Sequence, residues 1–467
     1  MADYGAERID AAIVDDKNVR ITMPGEGDKG QYARADLNTL APEKFFIYFD
    51  VGRWGETQYN FGLAYGDGAH SEVLLCEYLP DSSGAPQLAT YFAQPATLLN
   101  SPQFRRKVRI LKSIVFPRTL GLDTANTLYI FLGDLHLPLV RPDPISSIED
   151  IRRIFWKSTR NSIWEGTKQT IKGDPAQRAI ADMIRENSHY IAEGAAAAAL
   201  VPGLGLLAGA GAQAGAITLA ERLREADIDD ETTWWQYYND GDIFRDAGES
   251  LASFLDFLND YVHNESPNFR IHLIQVGDLY DLWIGLQRLF EVNGDQKVKI
   301  AIPNPLAPGQ QNPFASCVRS WIRSIHRNNM VGTGSQRVSL PDKLYNCYVD
   351  QKTWISGNHD NYLLAISGDK DDPPPRVEHL FDNGIQVEHG HRADEFNKDG
   401  ALEGHAITQL VFIERLVRLM DPDRRAKNYF PYAALKFRDT GKDMKLFVMA
   451  HTHAPYLAPI FVTGQGV

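Results

Sequence analysis

The chain has 467 residues, 43% of them apolar, and its 48 Lys and Arg against 60 Asp and Glu give a formal charge of −12. This globular composition excludes a disordered, collagenous or disulfide-framework protein, for which three cysteines would also be too few. The acidic balance argues against a surface that coats nucleic acid, because phosphate neutralisation needs clustered Lys and Arg, although a local basic groove stays possible.

Residues 1–120 are predicted to be rich in β-strands. Short apolar or alternating runs at 44–52, 61–66 and 71–79 are separated by Gly, Asp and Ser turns. Their polar residues show no spacing that suggests catalysis, so we interpret this region as an accessory region or as an extension of the main sheet. The N-terminus has no apolar core of the kind found in a Sec signal peptide, which favours a cytoplasmic protein, with membrane association left open.

A continuous apolar run at 127–136, TLYIFLGDLH, predicts a buried strand that ends in Gly-Asp. The next strand of this kind, at 269–281, follows a helix predicted over 249–262. The gap between these two strands is far longer than one crossover helix requires. We therefore predict a helical insertion over 142–264, between two parts of one core at 121–141 and 265–467.

Within this insertion, Gly194–Ala220 is free of charged residues and long enough to span a bilayer. Its many Gly and Ala residues make it a poor inserter, because large aliphatic side chains supply most of the favourable energy. Small residues permit close helix approach in water or in lipid. Three interpretations remain open: a packed helical hairpin broken near Pro202, an element that touches a membrane or guides a lipid substrate, and a spanning helix.

Five predicted strands each end in a short polar cluster, and loops at carboxyl ends of strands are where open α/β sheets bind ligands. In chain order the clusters contain Asp134 and His136; Asp278 and Asp281; Asn358, His359 and Asp360; His389 and His391; and His451 and His453. Mixed carboxylate and imidazole ligands suit Mn²⁺, Fe or Zn²⁺ better than Ca²⁺. Two such ions can clamp a phosphate, and Asp278 can bridge them because a carboxylate has two oxygens.

The ordered set GDLH, GDLYD, GNHD, HGH and HTH resembles the calcineurin-like metallophosphoesterase superfamily, over residues 127–136 and about 265–467. The resemblance implies an α/β fold, a two-layer β-sandwich core flanked by helices with a dinuclear site at one end. It also implies a hydrolase of a phosphoester or pyrophosphate bond, in which a metal-bridging hydroxide attacks and His359 assists. The expected cofactors are two divalent ions, Mn with Fe or Zn as alternatives, and the expected partner is a phosphorylated substrate.

The resemblance also assigns roles to single residues. The residues that would hold the two metals are Asp134, His136 and His453 for one, and Asn358, His389 and His451 for the other, with Asp278 bridging. His359 would stabilise the transition state or protonate the leaving oxygen, and Asp360 could orient its imidazole. His391 and Arg392 would face the substrate phosphate, with a solvated loop as the alternative for both.

Besides the long insertion, two local features depart from the family pattern. Ala450 stands where the family usually has Gly, which fits only if φ is negative there. Asp281 is followed by Leu-Trp, not by the Arg-Gly that resembles protein Ser/Thr phosphatases, which argues against a phosphoprotein substrate. The GDLYDLW and HGH segments look closer to the branch with lipid A precursor pyrophosphatases. Those proteins have Arg where this chain has His359, so their substrate is not carried over.

Other functions remain open. A metal-dependent nuclease shares the same motifs, although the net charge does not favour a nucleic-acid partner. A membrane-acting effector or toxin would use Gly194–Ala220 for entry or anchoring, with a lipid or membrane as its partner. A degenerate binding scaffold is disfavoured because no expected ligand position is missing.

Overall fold

Strands outnumber helices in the described part of the chain. The structure, a computed structural model, describes residues 9–22, 34–36, 45–54, 58–66, 70–79, 94–117, 126–138, 248–262, 268–282, 319, 322–323, 325–327, 329–360, 363, 366, 372–393, 422–440, 443–453 and 455–464. Its strands are β1 (Ile9–Ile13), β2 (Val19–Thr22), β3 (Arg34–Asp36), β4 (Phe45–Asp50), β5 (Arg53–Trp54), β6 (Gln58–Gly66), β7 (His70–Tyr78), β8 (Val108–Pro117), β9 (Thr127–Leu132), β10 (Leu137–Pro138), β11 (Arg270–Val276), β12 (Tyr280–Asp281), β13 (Met330–Val331), β14 (Val338–Ser339), β15 (Gln351–Ile355), β16 (His379–Asp382), β17 (Ile385–Glu388), β18 (Leu446–Met449) and β19 (Tyr456–Gly464). Its helices are α1 (Pro95–Leu99), α2 (Pro102–Lys107), α3 (248–262), α4 (Leu340–Asn346) and α5 (Pro422–Thr440), with further helical residues at 322–323 and 325–327 and 3₁₀ turns at Gly334–Gln336 and His391–Ala393.

Most of these strands belong to two mixed sheets. The seven-stranded sheet has the order β16-β17-β18-β4-β19-β1-β2, and the eight-stranded sheet has the order β15-β11-β9-β6-β7-β8-β3. In addition, β10 pairs with β12, β13 pairs with β14, and β5 pairs with β6. The protein is therefore an α/β protein, as predicted.

Each sheet contains three parallel strands, and five of these six strands end in the polar clusters predicted from the sequence. In the eight-stranded sheet, β11 is parallel to both β9 and β15. In the seven-stranded sheet, β18 is parallel to both β17 and β4. Because the carboxyl ends of parallel strands meet at one edge of a sheet, the loops that follow them are neighbours.

A hydrophobic cluster fills the space between the two sheets. It includes Phe49, Phe131, Val276, Val387 and Val448, which come from both sheets. Phe49 and Phe131 meet edge to face with ring centroids 6.1 Å apart, a favourable geometry for aromatic pairs. Every residue of β9, β17 and β18 is buried, as expected for strands covered on both faces. The two sheets therefore pack face to face as a sandwich.

Helices cover the outer faces of this sandwich. On the seven-stranded sheet, α5 places Phe430 edge to face against Tyr48, with ring centroids 5.4 Å apart. On the eight-stranded sheet, α3 places Phe254 5.0 Å from Phe61, measured between ring centroids. The α/β sandwich with flanking helices agrees with the expected architecture in this coarse sense.

The N-terminal β-rich region shares its sheets with the rest of the protein. Strand β4 lies between β18 and β19, and β6, β7 and β8 continue the eight-stranded sheet beyond β9. We interpreted residues 1–120 either as an accessory region or as an extension of the main sheet. The described strands of this region fit the second interpretation, because they pair with strands of the core.

Most of the predicted insertion over 142–264 lies outside the described residues, as does all of Gly194–Ala220. The part that is described, 248–262, is helical as predicted. Within the described ranges, no helix combines the length and the apolar character that crossing a bilayer requires.

Candidate metal centre

The loops after the parallel strands bring the predicted ligands together. Three groups of side chains have all their ligand atoms within 4.8 Å of one another: Asp134, His136 and His453; His136, Asp278 and His359; and Asp278, His389 and His451. Asn358 joins the third group, because its Oδ1 lies 2.9 Å from His389 Nε2. All seven residues predicted as metal ligands thus lie in one continuous cluster.

The backbone of these loops adopts an uncommon conformation. Among the described residues, seven non-glycine residues have positive φ, and five of them belong to the cluster: Asp134, His136, Asp278, His451 and His453. Such residues cost about 1–3 kcal/mol each and are found mainly at functional sites, where the surroundings hold them in place. Ala450 has no positive φ, so alanine fits at this position as the sequence required.

The first group has the spacing of ligands around one ion. His136 Nε2 and His453 Nε2 lie 3.0 Å apart. Two nitrogens that each lie about 2.1 Å from one ion, at about 90° to each other, are also separated by about 3.0 Å. Asp134 completes the group, and its Oδ2 accepts the backbone N–H of His451 at 2.8 Å. Its Oδ1 has no hydrogen-bond partner among the described residues.

The third group is organised around the buried ring of His389. Its Nδ1 lies 2.8 Å from the carbonyl oxygen of Val276, which can only accept, so Nδ1 carries a proton. This contact directs Nε2 towards Asn358 Oδ1 at 2.9 Å and Asp278 Oδ2 at 3.0 Å. A histidine fixed through one nitrogen, with the other facing oxygen ligands, is the usual arrangement at metal sites.

Asp278 lies between the two groups, but it faces both with a single oxygen. Its Oδ2 is 3.5 Å from His136 Nε2 and 3.0 Å from His389 Nε2. Its Oδ1 accepts the backbone N–H of His359 at 2.8 Å. Only Oδ2 is therefore directed at both groups, and the expectation that Asp278 bridges two ions stays a prediction.

Two glycines leave room for the carboxylates. A side chain on Gly357 would collide with Asp278 Oδ1, and one on Gly52 would collide with Asp134 Oδ2. Gly357 belongs to the GNHD motif, whereas Gly52 follows β4 and was not among the predicted site residues. Both positions require glycine because the backbone itself packs against a buried carboxylate.

The electrostatics of the cluster favour added positive charge. Burial raises the pKa of Asp134 to about 8, and the charge of Asp278 adds to this effect. Burial would lower the pKa of His389, but the carboxylates of Asp278 and Asp134 outweigh it and raise that pKa to about 9. Burial would raise the pKa of Asp278, but the charges of His389 and His359 outweigh it and hold that pKa well below its usual value. Asp134 and His389 therefore hold protons that a divalent cation could replace, and Asp278 supplies a negative charge beside them. The donor set of carboxylate, imidazole and amide oxygen suits Mn²⁺, Fe or Zn²⁺.

His359 lies beside the first group. Its ring centroid is 4.5 Å from that of His136, with the rings nearly perpendicular, and its side chain is partly exposed. The hydrogen bond from its backbone N–H to Asp278 fixes the loop that carries it. The structure thus brings His359 to the cluster, and its role as the assisting histidine stays a prediction.

Asp360, which was expected to orient the His359 ring, makes contacts of another kind. Its Oδ1 accepts the backbone N–H of Gly357 at 2.8 Å, and its Oδ2 accepts that of Leu279 at 3.1 Å. The buried guanidinium of Arg376 lies 3.4 Å from Oδ2. These contacts connect the GNHD loop to the GDLYD loop. Asp360 therefore stabilises the conformation of the two loops.

The two predicted substrate contacts differ in their surroundings. His391 is buried at the cluster, with its ring centroid 5.4 Å from that of His389 and 6.4 Å from that of His451. Arg392 is about one-third exposed, and its Nη2 lies 3.0 Å from Glu378 Oε2. The structure therefore brings His391 to the cluster and pairs Arg392 with an exposed carboxylate.

Sequence reasoning missed one buried carboxylate at the same edge, Asp50. It ends β4, is 0% exposed, and accepts hydrogen bonds from Tyr48 at 2.9 Å and from Thr452. Burial raises its pKa well above the usual value, and the nearby Asp134 adds to this effect. The signal was present in KFFIYFDVG, an apolar strand that ends in Asp, like the five strands whose ends were recognised.

Comparisons of this chain with models of protein families, with curated proteins and with solved structures found no match.

Proposed function

We propose that this protein is a hydrolase of phosphoester or pyrophosphate bonds that uses two divalent metal ions, and that it belongs to the calcineurin-like metallophosphoesterases. The observation that carries the proposal is the position of Asp278 Oδ2, 3.5 Å from a nitrogen of one ligand group and 3.0 Å from a nitrogen of the other. A carboxylate oxygen shared by two groups of ligands supports a pair of neighbouring ions, as in two-metal hydrolytic sites.

The protein would hold each ion with side chains from both sheets. One would be held by Asp134 and His136, which follow β9, and by His453, which follows β18. The other would be held by residues that follow β15, β17 and β18, namely Asn358, His389 and His451. When bound, the ions would polarise the phosphoryl group and lower the pKa of a water molecule enough to make it a nucleophile near neutral pH.

The remaining chemistry would come from imidazoles at the rim. His359 is partly exposed and close to His136, so a ring nitrogen can donate a proton to the oxygen of the leaving group. His391 is close to His389 and His451 and can donate a hydrogen bond to a phosphoryl oxygen. These positions support the two proposed roles.

The test is metal-dependent hydrolysis by the purified full-length chain. Metal-free protein is loaded with Mn²⁺ and offered p-nitrophenyl phosphate, its bis-ester and inorganic pyrophosphate. We expect hydrolysis of at least one of the three, abolished by EDTA and reduced by at least about 10³-fold in Asp278→Asn, which weakens the shared ligand. The substrate that is hydrolysed fastest distinguishes monoesterase, diesterase and pyrophosphatase activity. A nuclease cleaves phosphodiesters, so fastest hydrolysis of the bis-ester is also the result expected for the nuclease alternative.

Asp382→Asn is the matched control for this variant. Asp382 is a carboxylate on β16 that accepts a hydrogen bond from Tyr129 at 3.0 Å, away from the cluster. We expect it to leave hydrolysis unchanged. If Mn²⁺ does not bind, or if bound Mn²⁺ supports no hydrolysis of any of the three substrates, the proposed function is wrong.

A further inference from the structure

The turn His451-Thr452-His453 connects the two proposed metal positions. His451 belongs to one ligand group and His453 to the other. Both residues have positive φ, 75° and 56°, which L-residues adopt only when their surroundings enforce it. The backbone conformation of this turn therefore sets the orientation of two imidazoles, one for each ligand group. Contacts around the turn must stabilise this conformation.

Three hydrogen bonds are among the contacts that hold the turn. The backbone N–H of His451 donates to Asp134 Oδ2 at 2.8 Å, and the backbone N–H of Thr452 donates to the carbonyl oxygen of Ala450 at 2.9 Å. The third is made by a side chain, because the hydroxyl of Thr452 donates to Asp50 Oδ2. Thr452 is 3% exposed and Asp50 is 0% exposed, so solvent does not compete for this bond.

Asp50 is well placed for this contact. It is the last residue of β4, which lies between β18 and β19 in the seven-stranded sheet, and the turn directly follows β18. Tyr48, two residues earlier on the same strand, donates to the same oxygen at 2.9 Å and orients the carboxylate. Gly52, two residues later, packs its backbone against Asp134. Burial of a carboxylate at this position costs free energy of folding compared with burial of an apolar side chain. We therefore expect the contacts of Asp50 to serve a purpose other than stability.

We propose that Asp50 is a positioning residue, which fixes the His451-Thr452-His453 turn through the Thr452 hydroxyl and thereby places an imidazole at each of two metal positions. This inference rests on the proposed function, since it takes the two histidines as ligands. A positioning residue differs from a ligand in the effect of its loss. Loss of the contact between Asp50 and Thr452 would loosen the turn, and it would therefore weaken metal binding at both positions rather than at one. Contacts behind the ligands of a metal site are typically worth about 10–100-fold in affinity.

The test measures Mn²⁺ binding to metal-free protein by calorimetry and by metal analysis after dialysis. In Thr452→Val, which is isosteric, and in Asp50→Ala, we expect both ions to bind about 10–100-fold more weakly than in the wild type. Thr452→Ser and Asp50→Asn keep a hydroxyl donor and an oxygen acceptor, so we expect them to bind within a few-fold of the wild type. The double variant with Asp50→Ala and Thr452→Val should bind no more weakly than either single one, because both remove the same contact.

Two comparisons separate positioning from a general contribution to folding. Tyr48→Phe removes a hydrogen bond to the same carboxylate but not the bond to the turn, and we expect it to keep most of the affinity. The thermal midpoint of each metal-free variant shows how much stability was lost. A lower midpoint in Thr452→Val with unchanged affinity for both ions would overturn the inference, as would additive losses in the double variant. Wild-type protein that binds no Mn²⁺ would instead overturn the proposed function, and the inference with it.

Discussion

Both halves of the sandwich bury polar side chains between the sheets, but they balance donors and acceptors differently. In the amino-terminal half of β9, the hydroxyl of Tyr129 donates to Asp382 Oδ2 at 3.0 Å and accepts from Asn383 Nδ2 at 2.5 Å. On the neighbouring β11, His272 Nε2 lies 2.9 Å from the hydroxyl of Thr353. These groups come from both sheets and largely satisfy one another.

At the carboxyl ends of the same strands, acceptors are in excess. His389 faces three oxygens, from Val276, Asn358 and Asp278, and Asp134 Oδ1 has no hydrogen-bond partner among the described residues. Buried polar groups are normally paired, so an excess of acceptors signals either protons or a cation. In the half with Tyr129 and His272 most of these polar groups pair with one another, although His272 Nδ1 has no hydrogen-bond partner among the described residues. At the carboxyl ends of the strands the surplus acceptors suit a bound cation.

The largest expected difference between the halves concerns catalysis. Replacement of His359 by Ala should lower kcat by about 10²–10⁴-fold, the usual contribution of a positioned proton donor, with the number of bound ions unchanged. The measurement is steady-state kinetics of the Mn²⁺-loaded variant together with metal analysis. His379→Ala, at an exposed histidine on β16, is the control and should retain full activity. A parallel loss of bound metal would make His359 a ligand, since it lies within the second group.

The second prediction concerns the half of the sandwich that contains Tyr129 and His272. Burial lowers the pKa of His272 to about 4 from 6.5, and the nearby Asp382 only partly offsets this. Because the unfolded chain then binds the proton more tightly than the folded protein, stability should fall as the pH drops from about 6.5 to about 4, by about 3 kcal/mol at most. Urea unfolding of metal-free protein at several pH values measures this. The difference between wild type and His272→Gln should shrink over that range, and a constant difference would contradict the prediction.

Counted per site, the smallest expected effect is the stabilisation of the folded chain by one metal ion. An ion present at about 100 times its dissociation constant should add about 2.7 kcal/mol per site to the free energy of unfolding. The measurement is the urea midpoint with Mn²⁺ and with EDTA. Asp382→Asn should keep the full increment, whereas Asp278→Asn should lose most of it. An equal increment in both variants would show that Mn²⁺ binds elsewhere.

Much of this arrangement could be predicted from the sequence, because apolar strands and the polar residues directly after them are local features. The strands that carry Asp134, Asp278 and His389 and the helix at 248–262 were predicted in this way. The contact between Asp50 and Thr452 could not be, since the two residues lie 402 positions apart and only the pairing of β4 with β18 brings them together. For the same reason the sequence did not show that residues 1–120 contribute strands to both sheets.

The place of β4 in the seven-stranded sheet has a consequence for biosynthesis. Both neighbours of this strand, β18 and β19, come from residues 446–464, so about 400 further residues must leave the ribosome before β4 can pair. At translation rates of about 5–20 residues per second, this apolar strand waits for roughly 20–80 s. The histidine cluster can be completed only after that interval, and a nascent chain that meets other chains in the meantime offers them an unpaired strand.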